Sequence, residues 1–194
     1  MGLSFSVLDT DLTFDGEVPV AFERFGAVVT TSVPLGDRST LDLAAGGVFG
    51  GELTAPDGAY RLGPGWVAGA SYTYRVLDAA WPRPFVLLSG TLAASAARTS
   101  RADGSAAGTL SAFDLRVGAT AGYTFADVLS PYVALRAFGG PVSWRYAGEA
   151  VTGTDDYHYQ PALGAVLSYA PIDLTAEWAF VGERAVSVGL GVAF

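Results

Sequence analysis

Alternation of apolar residues with small or polar residues runs through most of this chain and predicts β-strands. Between Phe113 and Phe125, every second residue is Phe, Leu, Val, Ala or Tyr, and the residues between them are Asp, Arg, Thr or Gly. A period of two places the two sets on opposite faces of one strand. Similar segments predict ten strands, which are Leu3–Phe14, Val18–Val33, Leu41–Leu53, Trp66–Val76, Phe85–Arg98, Thr109–Phe125, Tyr132–Tyr146, Tyr157–Tyr169, Ile172–Phe180 and Ala185–Phe194.

Four of these strands alternate incompletely. The first alternates only as far as Val7, the second only from Phe25 onward, and the fifth alternates poorly. The seventh requires a change of register around Gly139-Gly140-Pro141, which predicts a β-bulge. If the first stretch and one weak strand pair are misassigned, eight strands remain. The pattern therefore favours ten strands and leaves eight as the alternative.

Short polar or Pro-containing segments connect the predicted strands at two ends. With an even number of strands, both chain ends lie at the inner end. The inner turns are Pro34–Arg38, Asp78–Pro84, Ala126–Pro131 and Ala170-Pro171, and the outer loops are Asp15–Val18, Thr54–Tyr60, Thr99–Gly108, Ala147–Asp156 and Val181–Arg184.

Composition narrows the class of protein. The 194 residues, which we assign to a single domain over 1–194, are 51% hydrophobic, with a mean hydropathy of +0.36. No uncharged apolar run reaches the roughly 18 residues that a spanning helix requires. The 25 Gly and 10 Pro residues also argue against long helices. Since a closed barrel is the other structure that satisfies every backbone group in lipid, the sequence predicts an all-β, up-and-down antiparallel barrel.

The last predicted strand supports a membrane barrel. In Val186–Phe194, Val, Leu and Phe alternate with Ser, Gly and Ala. A half-buried strand of a soluble protein would carry charged residues on its second face, whereas small residues suit a crowded lumen behind a lipid-facing wall. This strand resembles the last strand of the bacterial outer-membrane β-barrel superfamily, which typically ends on Phe.

The resemblance implies a location and partners. It implies the outer membrane of a Gram-negative bacterium, contact with the bilayer and lipopolysaccharide, and recognition of the last strand by the outer-membrane assembly machinery. The chain begins Met1-Gly2-Leu3 without a charged region and an apolar region of a signal peptide. The resemblance then implies that a signal peptide was removed.

Aromatic residues near the strand ends predict two girdles at the membrane interfaces, because Trp and Tyr side chains favour the headgroup level. Small aliphatic residues separate the aromatic residues within a strand, as in Tyr157–Tyr169. The predicted girdle residues are Trp66, Tyr72, Tyr74, Tyr123, Phe125, Trp144, Tyr146, Tyr157, Tyr159, Tyr169, Trp178, Phe180 and Phe194.

Charged residues of both signs fall on the faces predicted to point inward. Buried charges need partners, and neighbouring strands supply them about 5 Å away. The network either plugs a narrow lumen or lines a polar pore for small solutes or ions, and both interpretations stay open. Its predicted members are Asp42, Glu52, Arg75, Asp114, Arg116, Arg136, Arg145, Asp173 and Glu177.

One constellation suggests catalysis. His158 follows Asp156 by two positions, and Asp9 and Asp11 share the same spacing toward the same rim. An Asp–His pair opposite an Asp pair on a ten-stranded barrel resembles the omptin family of outer-membrane proteases, which would make these four residues catalytic. Ordinary solvated rim residues are the competing interpretation. We expect no enzyme, no metal and no cofactor.

The charge and composition of the chain also bear on two other classes of protein. A net charge of −8 and a pI near 4.4 argue against nucleic-acid binding. A soluble, lipocalin-like binding barrel is the remaining alternative. It would need a charged exterior, but the chain has no Lys, and its second strand faces are rich in Gly, Ser and Thr.

Overall fold

The computed structural model describes residues 1–78, 84–101, 103–104, 107–146 and 149–192, without the side chains of residues 107 and 146. Within these ranges, no helix is long and apolar enough to cross a membrane. The strands are β1 (Gly2–Phe14), β2 (Val18–Pro34), β3 (Ser39–Ala55), β4 (Gly58–Leu77), β5 (Phe85–Arg101), β6 (Ala107–Gly122), β7 (Leu129–Gly139), β8 (Val142–Tyr146), β9 (Glu149–Asp155), β10 (Tyr159–Tyr169), β11 (Ile172–Ala179) and β12 (Arg184–Val192).

Ten of these strands form one closed antiparallel barrel. The order is β1 to β7, then β10, β11 and β12, and β12 pairs again with β1, with Gly2 opposite Gly191. Each strand pairs with its neighbours in the chain apart from the β8–β9 excursion, so the barrel is an up-and-down meander. The predicted all-β, ten-stranded barrel is confirmed. We call the end that holds Met1 and Val192 the lower end.

The other two strands close a second, narrower ring at the upper end. β8 and β9 form a hairpin in which β8 pairs with β6 and β9 pairs with β1. The upper parts of β1 to β6 thereby continue as a ring of eight strands, while β7, β10, β11 and β12 end below it. We call this ring the cap; it comprises residues 8–14, 18–24, 51–55, 58–62, 97–101, 107–112, 142–146 and 149–155.

The two faces of the barrel wall exchange polarity where the cap begins. Along β1, side chains at even positions point inward throughout. Below Leu8, the inward residues are small and the outward residues Phe5 and Val7 are apolar and about half exposed. From Leu8 upward, the inward residues are mostly apolar and buried, whereas Asp9 and Asp11 point outward. β1 is therefore a membrane-type strand in its lower half and a soluble-type strand in its upper half.

The cap has a packed apolar core. Phe14, Leu53 and Tyr60 are at most 2% exposed, and the ring of Trp144 stands edge-on to Tyr60 with centroids 4.8 Å apart. Trp144 Nε1 donates a hydrogen bond to Thr99 Oγ1 at 3.1 Å, which satisfies the polar atom of this buried ring. At the rim, Tyr60 donates to Asp57 and lowers the pKa of that carboxyl.

A bulge in β3 explains one wrong prediction. Phe25 on β2 lies opposite Gly50, but the next residue, Gly26, lies opposite Val48, so β3 has one extra residue there. An extra residue inverts the faces of every residue beyond it. Leu53 is consequently buried inside the cap, and Glu52, predicted for the lumen, is exposed on the outside. Gly51 has a φ of +148°, and a Cβ there would lie 2.0 Å from Glu23 O.

The seventh predicted strand is two strands. β7 ends at Gly139, and after Gly140-Pro141 the chain continues as β8 against the upper part of β6. The interruption keeps the alternation of faces, because Phe138, Val142 and Trp144 are all buried inside. Two predictions are therefore wrong: Trp144 is core and not girdle, and Arg145 is exposed outside and not in the lumen.

Two other segments are more regular than their sequences indicate. The poorly alternating Phe85–Arg98 lies within one continuous strand, β5, whose small Ala, Ser and Gly residues hide the alternation. The predicted outer loop Ala147–Asp156 contains β9, which pairs with both β8 and β1. A polar, Gly-containing strand looks like a loop in sequence when its apolar partners lie elsewhere in the chain.

Candidate functional site

The barrel interior below the cap holds a continuous network of charged and polar side chains. Arg136 on β7 makes two parallel bonds to Glu177 on β11, with Nη1–Oε1 at 2.7 Å and Nη2–Oε2 at 2.6 Å. Tyr132 donates to the same carboxylate at 2.9 Å. Two-pronged Arg–carboxylate pairs fix geometry as well as charge, so this cluster ties β7 to β11 over the intervening strand β10.

A second cluster lies beside the first, and an amide joins them. Arg116 forms ion pairs with Asp114, two residues before it, and with Glu183 from the turn between β11 and β12. Gln160 accepts a hydrogen bond from Arg136 at 3.1 Å, and its Nε2 donates to Glu183 O at 2.8 Å. The network therefore crosses the barrel at mid-height.

Glu183 is a member that sequence reasoning missed. The sequence pattern predicts an outer turn at Val181–Arg184, but the side chain of Glu183 is 8% exposed and points into the lumen toward Arg116. Arg24 was also missed, because its strand alternates legibly only from Phe25; counting back from Gly26 by twos would have placed it inside. Nothing in the sequence pattern of a turn could have placed Glu183.

The other predicted lumen charges lie away from this network. Asp42 and Asp173 are partly buried near the lower end, where Asp42 lies opposite Ser71 and Asp173 lies opposite Ser168. Arg75 is at the lower rim, where it pairs with Asp78 at 3.2 Å and is half exposed. Glu52 and Arg145 are outside, as described above.

The lumen is wide below the network and narrow above it. Cavities of about 660 Å³ and 500 Å³ reach the lower rim at Arg75 and Met1. A cavity of about 330 Å³ lies at the network, and one of about 80 Å³ lies between the network and the cap core. Above this last cavity, the buried side chains of the cap fill the barrel. The interior thus has the form of a cup that opens at the lower end.

Asp155 is a partly buried carboxyl in the cap that sequence reasoning did not assign to the interior. It ends β9, and it accepts a hydrogen bond from Thr10 Oγ1 at 3.1 Å. Burial raises its pKa to about 6, and the nearby Glu183 carboxylate adds to this rise. Asp155 is therefore poised to change charge near neutral pH.

The four candidate catalytic residues do not meet. Asp9 points outward and pairs with Arg184 at 3.2 Å, and Asp156 accepts from Thr13 Oγ1 at 2.5 Å. Asp156 N donates a hydrogen bond to Asp11 O at 3.0 Å, whereas His158 is exposed and its ring lies 3.5 Å from the Cβ position of Gly139 on β7. Among the residues that the structure describes, His158 has no hydrogen bond or ion pair to Asp9, Asp11 or Asp156.

Aromatic side chains border the exposed apolar part of the outer wall. The rings of Trp178 and Phe180 pack at a tilted angle at the upper edge of this apolar surface. The rings of Tyr123 and Phe125 pack in the same way at its lower edge. Tyr146, by its side chain, and Phe194 lie outside the described residues. The predicted girdle residues that are exposed are Trp66, Tyr72, Tyr74, Phe125, Tyr157, Tyr159, Tyr169, Trp178 and Phe180.

Between these aromatic residues, the outer wall is apolar on every strand of the lower barrel; we call this surface the apolar band. A soluble monomer rarely exposes so large a continuous apolar surface. Representative members, one or more from each of the ten strands, are Phe5, Val29, Leu43, Trp66, Leu92, Leu115, Val117, Leu135, Leu163, Leu174 and Val188.

The barrel resembles solved structures of bacterial outer-membrane proteins. The translocator domain of autotransporter NalP from Neisseria meningitidis matches 100% of this chain and 89% of its own length, at 14% identity and a TM-score of 0.54. The outer membrane protease OmpT from Escherichia coli matches 97% of this chain and 93% of its own, at 10% identity and a TM-score of 0.54. This chain has the outer-membrane β-barrel fold.

In an outer-membrane barrel, the apolar band is the lipid-facing surface, and the polarity exchange marks its upper limit. A third structure, the beta domain of the Bordetella autotransporter BrkA, matches 100% of this chain and 99% of its own at 11% identity and a TM-score of 0.50. No protein-family model and no curated protein matches the chain. The structural neighbours include translocator domains and a protease, so their likeness extends to the fold and not to one activity.

Proposed function

We propose that this protein is an integral outer-membrane barrel whose lumen is closed at the cap, so that it has a structural role and is not a pore. The packed core of the cap carries the proposal. Phe14, Leu53, Tyr60 and Trp144 fill the eight-stranded ring, and their side chains are at most 5% exposed. Small barrels of about eight strands are generally filled by side chains.

The proposal includes an orientation and partners. Met1 and Val192 lie at the lower end, which we assign to the periplasm, so the cup opens toward the periplasm and the cap projects from the cell surface. The outward carboxylates and arginines of the cap then face water or lipopolysaccharide, and the apolar band contacts acyl chains. We also propose that the last strand is the segment that the outer-membrane assembly machinery recognises.

Passage of small solutes through the lumen is the alternative function. The wide lower cavities favour it, because small Thr and Ser residues in their walls, joined in one cavity by Gly, leave space for water. The cap core opposes it. Discrete single-channel steps from refolded protein in a planar bilayer would establish the pore and overturn the closed barrel.

A labelling experiment tests closure directly. The chain has no cysteine, so a single Thr120→Cys variant places one thiol in the lower cavity. An Arg98→Cys variant places a thiol on the exposed outer surface of the cap. Both are refolded into sealed liposomes and treated outside with a membrane-impermeant maleimide.

A closed lumen predicts complementary labelling. Only molecules with the lower end outward react at position 120, and only those with the cap outward react at position 98, so the two labelled fractions add up to the whole population. Two labelled fractions that together exceed the whole population would instead show a continuous pore, because position 120 would then also react in molecules whose cap faces outward. Heat-modifiable gel migration verifies that each variant is folded.

A further inference from the structure

The cavity of about 80 Å³ beneath the cap has apolar walls and a charged floor. Arg24 and Asp155 line it together with the Asp114–Arg116–Glu183 cluster. Such a blind cavity, with an apolar end and few polar groups at its mouth, has the general form of a small-molecule site. The apolar walls come from Leu12, Phe22, Val48, Leu62, Leu110 and Val142.

Arg24 is the cation of this region that lacks a carboxylate partner. Arg116 holds Asp114 and Glu183, and Arg136 holds Glu177. Within the part of the chain that the structure describes, Arg24 forms no ion pair, and its guanidinium donates one long hydrogen bond, to Ser95 Oγ at 3.5 Å. Asp114, Asp155 and Glu183 line the same cavity, but none of them forms an ion pair with this partly buried guanidinium, so its N–H groups favour an anionic partner in direct contact.

Arg24 lies at the boundary between two cavities. Its side chain lines the 80 Å³ cavity and also the 330 Å³ cavity below, which Arg116 and Glu183 line as well. A molecule that enters from the lower end therefore meets Arg24 before it reaches the apolar walls. Its charged group would stay at the arginine while its apolar part enters the blind end.

We propose that this cavity binds a short aliphatic monocarboxylate, with the carboxylate on Arg24 and the alkyl chain among the apolar walls below the cap. A cavity of 150 Å³ holds benzene. One of about 80 Å³ has room for an alkyl chain of roughly three carbons. The proposal depends on the closed lumen only for the direction from which the ligand enters.

The test uses butyrate and the refolded protein in zwitterionic detergent. Binding of ¹³C-labelled butyrate is followed by NMR titration in the wild-type protein, in Arg24→Gln and in the control Arg98→Gln, which removes an exposed arginine from the cap surface. We expect saturable binding that weakens about tenfold or more in Arg24→Gln, since a charge-assisted bond is lost. Arg98→Gln should bind like the wild type.

Chain length and shape give an independent readout. Affinity should rise about three- to fourfold per methylene from acetate to butyrate, and then fall at hexanoate when the cavity is full. Ala112→Leu fills part of the cavity wall and should abolish butyrate binding in a protein that still shows heat-modifiable migration. n-Butanol, which lacks the carboxylate, should bind more weakly than butyrate.

Three results would overturn the proposal. They are the absence of saturable butyrate binding, equal affinity in Arg24→Gln and the wild type, and an affinity that keeps rising through octanoate, which would indicate partition into detergent. None of these outcomes bears on the labelling fractions that test closure of the lumen. The binding site and the closed barrel are therefore judged separately.

Discussion

Asp155 shows how one residue can link the two halves of the barrel. It belongs to β9, which lies wholly in the cap and above the apolar band, but its carboxyl faces the cavity over Arg116 and Glu183. Among the residues that the structure describes, its carboxyl accepts one hydrogen bond, from Thr10, and forms no ion pair with an arginine. The site therefore favours the protonated acid over the carboxylate.

The raised pKa of Asp155 predicts a pH effect on stability. Because the folded protein holds this proton up to about pH 6 and the unfolded chain releases it near pH 4, the wild type loses stability as pH rises between these values. Asp155→Asn should match the wild type near pH 4 and exceed it at pH 7.5. The gain is at most about 3 kcal/mol.

Urea unfolding in liposomes at the two pH values measures this difference. Thr10→Val is the matched control, since it removes the hydrogen bond to Asp155 and leaves the carboxyl in place. A stability difference between Asp155→Asn and the wild type that does not change with pH would contradict the raised pKa.

At the same scale, the face of a charged residue follows from alternation only below the cap. Asp114, Arg116, Arg136 and Glu177 lie on strands whose lower halves alternate without interruption, so counting by twos assigns their faces. Glu52 lies beyond a bulge, and Glu183 lies in a turn. Alternation does not predict the face of either residue, because side chains do not alternate between two faces through a bulge or a turn.

Among the elements, β2 carries the polarity exchange in its simplest form. Val29 and Ala21 both point outward, but Val29 lies opposite Leu3 in the apolar band and Ala21 lies opposite Asp11 in the cap. One strand thus presents the same face to two environments. A prediction from alternation alone expects one environment along the whole outward face. It therefore recognises the strand only from Phe25 onward, where the outward face is apolar.

This exchange predicts different costs for one substitution. Val29→Arg should destabilise the folded barrel by about 2–4 kcal/mol, because the charge enters the middle of the lipid-facing surface. Ala21→Arg should change stability by less than about 0.5 kcal/mol, because its side chain is in water beside Asp11. Urea unfolding in phosphatidylcholine liposomes compares the two. If the two substitutions destabilised the barrel equally, the outer surface of the cap would not lie in water outside the bilayer.

The architecture of the whole molecule results from one sheet that closes into a ring at two levels. The β12–β1 pairing closes ten strands, and the β8–β9 hairpin closes eight above them. The wider ring leaves a polar cup, and the narrower ring is filled by an apolar core. The same β1 to β6 serve both rings, so the cap cannot be separated from the membrane barrel as a domain.

The two rings predict opposite behaviour of two tryptophans. Trp178 is 56% exposed at the upper edge of the apolar band, whereas Trp144 is 5% exposed in the cap core. In single-tryptophan proteins, with the other three replaced by Phe, brominated phospholipids should quench the fluorescence of Trp178 strongly and leave that of Trp144 nearly unchanged. Strong quenching of Trp144 would return it to the girdle that the sequence pattern predicts.

The sequence by itself determined the class of fold. A period of two over ten segments, small residues behind apolar ones and the lack of a spanning helix leave a closed barrel as the structure that satisfies the backbone in lipid. The same pattern assigned the outward face of the lower strands, because that face contacts lipid along its whole length.

Only the tertiary structure decided where the lipid-facing surface ends and the water-exposed surface of the cap begins. The cap exists because β8 and β9 pair with β6 and β1, strands that are distant in sequence, and the pairing turns an apparent loop into a wall. Once that ring is closed, its inside must be apolar because its outside is in water. Trp144 and Arg145 took their places from that closure, and Glu52 took its place from the bulge in β3.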